Sequence, residues 1–191
     1  MKNAALAVVF TVLISGCAFS RPDVSRENWK IRTYKDVTKE DAVDAAREVI
    51  RLSDPDDIIF TTTPDGFSAV RRQLSYYVVE SGLDVFVFEF TARETESGVQ
   101  ARIDIHERIE RASFSTLGLP VTNIGRPQTS YAYQLFYARM DYLLGLNDRW
   151  QNCKDGGAAS NTQAENLGLS AFCGRFVSDL SPPPFSRKNS Q

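Results

Sequence analysis

The sequence predicts an α+β domain of two layers. An antiparallel meander of about four strands is covered by an N-terminal and a C-terminal helix, and an irregular segment with two cysteines follows. Three observations carry this expectation. Apolar residues recur at three- and four-residue spacing over 38–52 and again over 130–147, the period of an amphipathic helix. Between them the period changes to two, most cleanly over 99–109. Turn-forming residues separate the strand-like runs at hairpin distances, so consecutive strands pair antiparallel. With 191 residues, 42% apolar and 24% charged, the chain can build one core of ordinary size.

Residues 18–36 are a polar lead-in, in which Trp29, Ile31 and Tyr34 predict docking of the second half as an edge strand. Thr38 is an N-cap candidate with Asp41 at capping-box spacing. Ala42, Ala45, Ala46, Val49 and Ile50 then make one small apolar stripe, with Asp44, Arg47, Glu48 and Arg51 on the other side. The helix should stop near Asp54-Pro55, since proline disfavours a helical residue before it. Residues 58–63, Ile-Ile-Phe-Thr-Thr-Thr, are β-branched and aromatic, and Pro64-Asp65-Gly66 supplies turn chemistry.

From 67 to 79 the pattern is mixed: Val70, Leu74, Tyr76 and Val78 share one parity, Arg71 and Arg72 interrupt it, and a helix is the alternative for the first half. Ser81-Gly82 reads as a turn. Residues 83–90 are strongly apolar, with Asp84 and Glu89 their only charges, which predicts a central strand or one buried on both faces. Residues 94–98 form a hairpin loop. In the next strand Val99, Ala101, Ile103, Ile105 and Ile109 point to the core, and Gln100, Arg102, Asp104, His106, Arg108 and Glu110 to water.

Residues 111–129 carry Gly118, Pro120, Gly125 and Pro127 and read as a loop with one short strand. The second helix is expected over 130–147. Its stripe is Leu135, Ala138, Tyr142 and Leu146, flanked by Phe136, Met140, Leu143 and Trp150, with Gly145 a weakness near the end. Residues 155–161 form an irregular loop. The tail 181–191, Ser-Pro-Pro-Pro-Phe-Ser-Arg-Lys-Asn-Ser-Gln, is polyproline-like and polar. The expected division is 1–16 signal peptide, 17–36 tether, 37–180 one α+β domain and 181–191 disordered tail.

The first residues place the protein. Lys2 precedes a run from Ala4 to Ile14 that is apolar except for Thr11, the pattern of a secretory signal and too short to span a bilayer. Its end, Ile14-Ser15-Gly16-Cys17, resembles the lipobox of bacterial lipoproteins. That resemblance implies cleavage before Cys17, diacylation of its sulfur and acylation of the new amino terminus. Two or more acyl chains hold a protein on a membrane, where one lets it exchange. Ala18 and Phe19 follow the cysteine in place of the aspartate that signals inner-membrane retention, so the expected location is the outer membrane, with the domain facing the periplasm.

Cys17 being assigned, Cys153 and Cys173 remain, and an oxidising compartment favours their pairing as a disulfide. Two thiols alone make a poor zinc site. His106 is the one histidine in the chain, and it sits on a polar strand face beside Asp104 and Arg108 without a serine-hydrolase pattern. Asp54, Asp56, Asp57 and Asp65 miss the spacing of a calcium loop, and no glycine lies in a phosphate-loop context. No cofactor and no metal are therefore expected.

With 22 basic against 24 acidic side chains, a formal charge of -2 offers no electrostatic case for nucleic acid. The reading these features favour is a non-enzymatic adaptor or assembly component that binds other envelope proteins. A carrier or sensor of a small apolar or cell-wall-derived ligand ranks second, and an envelope hydrolase third. Tyr131, Tyr133 and Tyr137 lie off the helical stripe, and Arg71 and Arg72 adjoin Tyr76 and Tyr77; Tyr133, Tyr137, Arg71 and Arg72 are the expected partner surface.

Overall fold

The computed structural model describes residues 28–53, 58–76, 80–113, 120–124, 129–155, 169 and 171–173. The lipobox-like start with Cys17, the tail at 181–191 and most of the 155–161 loop lie outside them.

Helix α1, Lys39–Ser53, starts where the capping pattern says it should. The Thr38 carbonyl accepts from the Ala42 N–H at 3.1 Å, and its Oγ1 accepts from the Asp41 N–H at 3.1 Å, which satisfies one of the amides left over at a helix start. The expected stripe Ala42, Ala45, Ala46, Val49 and Ile50 is buried. Small side chains on that face let the helix lie close on the sheet.

The sheet has six strands: β1 (Ile31–Tyr34), β2 (Ile58–Thr63), β3 (Gly66–Tyr76), β4 (Glu80–Thr95), β5 (Gly98–Ser113) and β6 (Pro120–Ile124). Strands β2 to β5 form the expected antiparallel meander, and β1 and β6 both add to the outer side of β5, at 99–102 and 108–112. Two-residue loops join β2 to β3 and β4 to β5, with Thr63 opposite Gly66 and Thr95 opposite Gly98. Both glycines are forced. A Cβ on Gly66 would sit 2.2 Å from the Phe90 carbonyl oxygen, and one on Gly98, where φ is 120°, equally close to that of Tyr34.

Two expectations need correction here. Ser81 and Gly82 are not a turn but ladder residues of β4, opposite Tyr76 and Ser75, so the reversal falls earlier in the chain. Helix α2, Ser130–Leu143, ends before 147. Gly145 takes φ 73°, its N–H bonds the Tyr142 carbonyl at 3.0 Å, and the Leu146 N–H bonds that of Asp141 at 2.8 Å. This is a Schellman ending, so Gly145 terminates the helix rather than merely weakening it.

The core fills the space between one sheet face and the two helices. Alternate residues Phe67 and Ala69 of β3, Phe86, Phe88, Phe90 and Ala92 of β4, and Val99, Ala101, Ile103 and Ile105 of β5 point there. Rings link the layers: Phe90 lies 6.2 Å from Phe136, and Phe172 lies 5.6 Å from Phe88 and 5.7 Å from Phe136. Phe172 arrives with the Cys153–Cys173 disulfide, which is formed as expected. No described helix is long and apolar enough to cross a membrane.

Candidate binding surface

The residues expected to form a partner surface divide between the two faces of the domain. Tyr133 and Tyr137 are each 4% exposed and belong to the core, which corrects their reading as surface anchors. Tyr137 can face inward because its hydroxyl donates to the Lys30 carbonyl at 2.6 Å and lies 3.2 Å from that of Ala101, so its polar end is satisfied at the sheet margin. Burial, first of all, pushes its pKa upward, against the Arg32 guanidinium 5.5 Å above its ring. The buried face of α2 is therefore Ala132, Tyr133, Leu135, Phe136, Tyr137, Arg139 and Met140. Leu146, expected on the stripe, is exposed beyond the helix end.

Arg71 is likewise no surface arginine. It is 1% exposed and shares its parity with Phe67 and Ala69, which sets it on the helix-covered face. Its guanidinium donates to the Ala171 carbonyl at 2.6 Å and to Gln73 Oε1 at 2.9 Å, and lies 5.4 Å from the Phe86 ring centre. Arg139 does the same work nearby, stacked 5.0 Å over Trp150 and donating to the Gln151 carbonyl. Both cations fasten the disulfide segment to the sheet and α2.

Arg72 does point outward, onto a face that neither helix covers. The registers align its rows. Ile59, Val70, Val87 and His106 form one; Arg72, Val85 and Arg108 the next; Leu74, Leu83 and Glu110 a third. The parity that runs through Val70 and Leu74 is thus the outer one. Ile59 is 61% exposed and Leu74 58%, with Val70, Leu83 and Val87 partly so between them. Val85, flanked across the strands by Arg72 and Arg108, is the best buried of this group.

Charge borders this apolar strip on the β5 side. Arg108 pairs with Glu110, and Arg102 and Lys30 hold Asp104 at 2.8 and 2.7 Å. Burial opposes ionisation of Asp104, but the hydrogen bonds from Arg102 and Lys30 win and keep its pKa below the usual carboxylate value. His106 is exposed in the middle of this polar border. Among the described residues no three His, Cys, Asp or Glu side chains are grouped to hold a metal ion.

The outer strip was readable in principle, since Val70, Leu74, Leu83, Val85 and Val87 all lie at matching parities once the strands are paired. The reversal before Ser81 then sets which of these residues lie side by side. No family model, no curated protein and no solved structure matches the chain.

Proposed function

We propose that the chain is a lipid-anchored, non-enzymatic binding domain of the bacterial cell envelope. It acts as an adaptor or assembly component at the outer membrane, with the domain in the periplasm. The observation that supports binding is the one-sided cover of the sheet: both helices pack on one face, and the other exposes an apolar strip from Ile59 to Leu74 bordered by charge. A partner that covers the strip removes apolar area from water, and the border charges fix its orientation. The formed disulfide and the lipobox-like Ile14-Ser15-Gly16-Cys17 favour an oxidising envelope compartment.

Two arms test the proposal. Cys17→Ser should move the chain from the membrane fraction to the soluble one and remove the acyl mass; equal retention and unchanged mass reject the anchor. For the surface, Arg72→Glu combined with Leu74→Glu should leave the thermal midpoint near that of wild type, because both side chains are exposed. The same pair should weaken capture of an envelope partner by about tenfold or more. Identical capture by both proteins, with the fold intact, rejects this face.

A further inference from the structure

The two margins of the sheet are built differently. The β5 side is broken into two short pieces, β1 over 99–102 and β6 over 108–112, and β1 carries the charged Arg32. On the opposite margin β2 is one uninterrupted strand over Ile58–Thr63, and β3 runs on past it from Arg72 to Tyr76. β2 pairs residue for residue with β3 from Ile58 to Thr63 without a bulge, and among the described residues no strand lies on its other side. Its six residues are Ile-Ile-Phe-Thr-Thr-Thr: five β-branched, one aromatic, none charged and no proline. Solitary sheet edges are ordinarily guarded by lysine, proline, a bulge or a short length, because their outward N–H and C=O groups template another strand. β2 has no such guard within its six residues.

We propose that β2 is a self-pairing edge, joined antiparallel to β2 of a second copy about a two-fold axis to make one continuous sheet. Charge selects this occupant. In a two-fold antiparallel contact the side chain at the axis meets its own counterpart, so a charge in mid-strand would be set against a like charge. A strand with no charge incurs no such repulsion. The adjoining flank of α1 carries two charges of each sign, Asp44, Arg47, Glu48 and Arg51, of which Arg51 and Glu48 pair at 3.0 Å, so it sets no net charge against its own copy. Arg47 lies over both Phe60 and Phe67, at 5.6 and 5.5 Å, which places this flank beside β2. Pairing also brings the two exposed Ile59 side chains onto one surface, where the strips of both copies become continuous. The proposal stands apart from the anchor and from the outer-face contact, and neither result above decides it.

The test is sedimentation velocity of the full chain in a non-ionic detergent over a wide concentration series. Wild type should pass from monomer to dimer as concentration rises. Thr61→Lys, at an exposed position in the middle of β2, should weaken the dimer by about tenfold or more. Gln100→Lys, an equal charge change on exposed β5, should dimerise like wild type. Circular dichroism melts of the three proteins at the lowest concentration, where all are monomeric, should coincide, since both substituted side chains are exposed in the monomer. A second readout is disulfide trapping of Thr61→Cys in a Cys17→Ser background, with Glu94→Cys as the non-trapping control. A chain that stays monomeric throughout, or a dimer indifferent to Thr61→Lys, overturns the proposal. So does hydrogen-exchange protection of the outward β2 amides that persists at the lowest concentration, since the edge would then be covered within one chain.

Discussion

Arg71 and Arg72 are adjacent in sequence and opposite in role. A strand turns successive side chains to opposite faces, so one guanidinium enters the core and the other meets water. Arg71 is tolerated inside because the Ala171 carbonyl and Gln73 accept its protons and the Phe86 ring supports its plane. Arg71→Ala should therefore destabilise the domain by about 3 kcal/mol, since it opens space and strands a buried carbonyl. Arg72→Ala should stay within about 0.5 kcal/mol of wild type. Urea midpoints of the two variants check this, and equal effects would contradict the opposite facings of Arg71 and Arg72. The pair also shows what one strand's sequence cannot tell. Both parities of 67–74 carry apolar residues and an arginine, so parity alone does not choose the inner face. The acceptor that makes Arg71 an inner residue arrives from a segment 100 positions later. Tyr137 is a similar case, because its hydroxyl is satisfied by carbonyls at Lys30 and Ala101 that no helical wheel displays.

At the scale of elements, the legible parts were those whose pattern has one solution. β5 alternates cleanly because one of its faces is buried and the other wet, and α1 carries its own cap and a single stripe. The end of α2 is also written in the chain, as Gly145 followed by the apolar Leu146. The last segment is different, since its position depends on three unlike attachments acting together. The disulfide joins Cys153 to Cys173, Phe172 lies against Phe88 and Phe136, and Arg71 holds Ala171. Cys153→Ser with Cys173→Ser should cost about 3 kcal/mol, the loop-closure contribution for a separation of this size. The segment should nonetheless stay docked, because the rings and Arg71 remain. Hydrogen exchange is expected to quicken at Phe172 and Cys173, whose N–H groups both bond the Leu169 carbonyl, while β5 is unchanged. Full exposure of the segment in the double variant would show that the disulfide alone places it.

For the molecule as a whole, three carboxylates sit at three joints, and together they shape how stability depends on acid. Asp65 ties the β2–β3 turn to α1 through Lys39 at 3.0 Å and to β4 through Arg93. Asp104 ties β5 to Lys30, just before β1. Asp141, near the end of α2, accepts from Arg32 of β1 at 2.7 Å. The first two have lowered pKa values: Asp65 through the hydrogen bond and charge of Lys39, Asp104 because its two cationic donors outweigh burial. Asp141 is raised, since burial outweighs the pull of Arg32. The signs follow from proton counting. Below the ordinary aspartate value of 3.8 the unfolded chain binds protons that folded Asp65 and Asp104 still refuse, so stability falls as pH falls further. Just above 3.8 the folded chain instead takes up a proton at Asp141 before the unfolded chain does, so acidification there adds stability. Urea midpoints measured from about pH 6 to about pH 3 should therefore show a gain from Asp141 on the upper limb and a loss from Asp65 and Asp104 on the lower. Asp104→Asn should flatten the lower limb and leave the upper one, and Asp141→Asn should do the reverse. If Asp104→Asn changes both limbs alike, the Lys30–Asp104–Arg102 contact does not hold that carboxylate ionised.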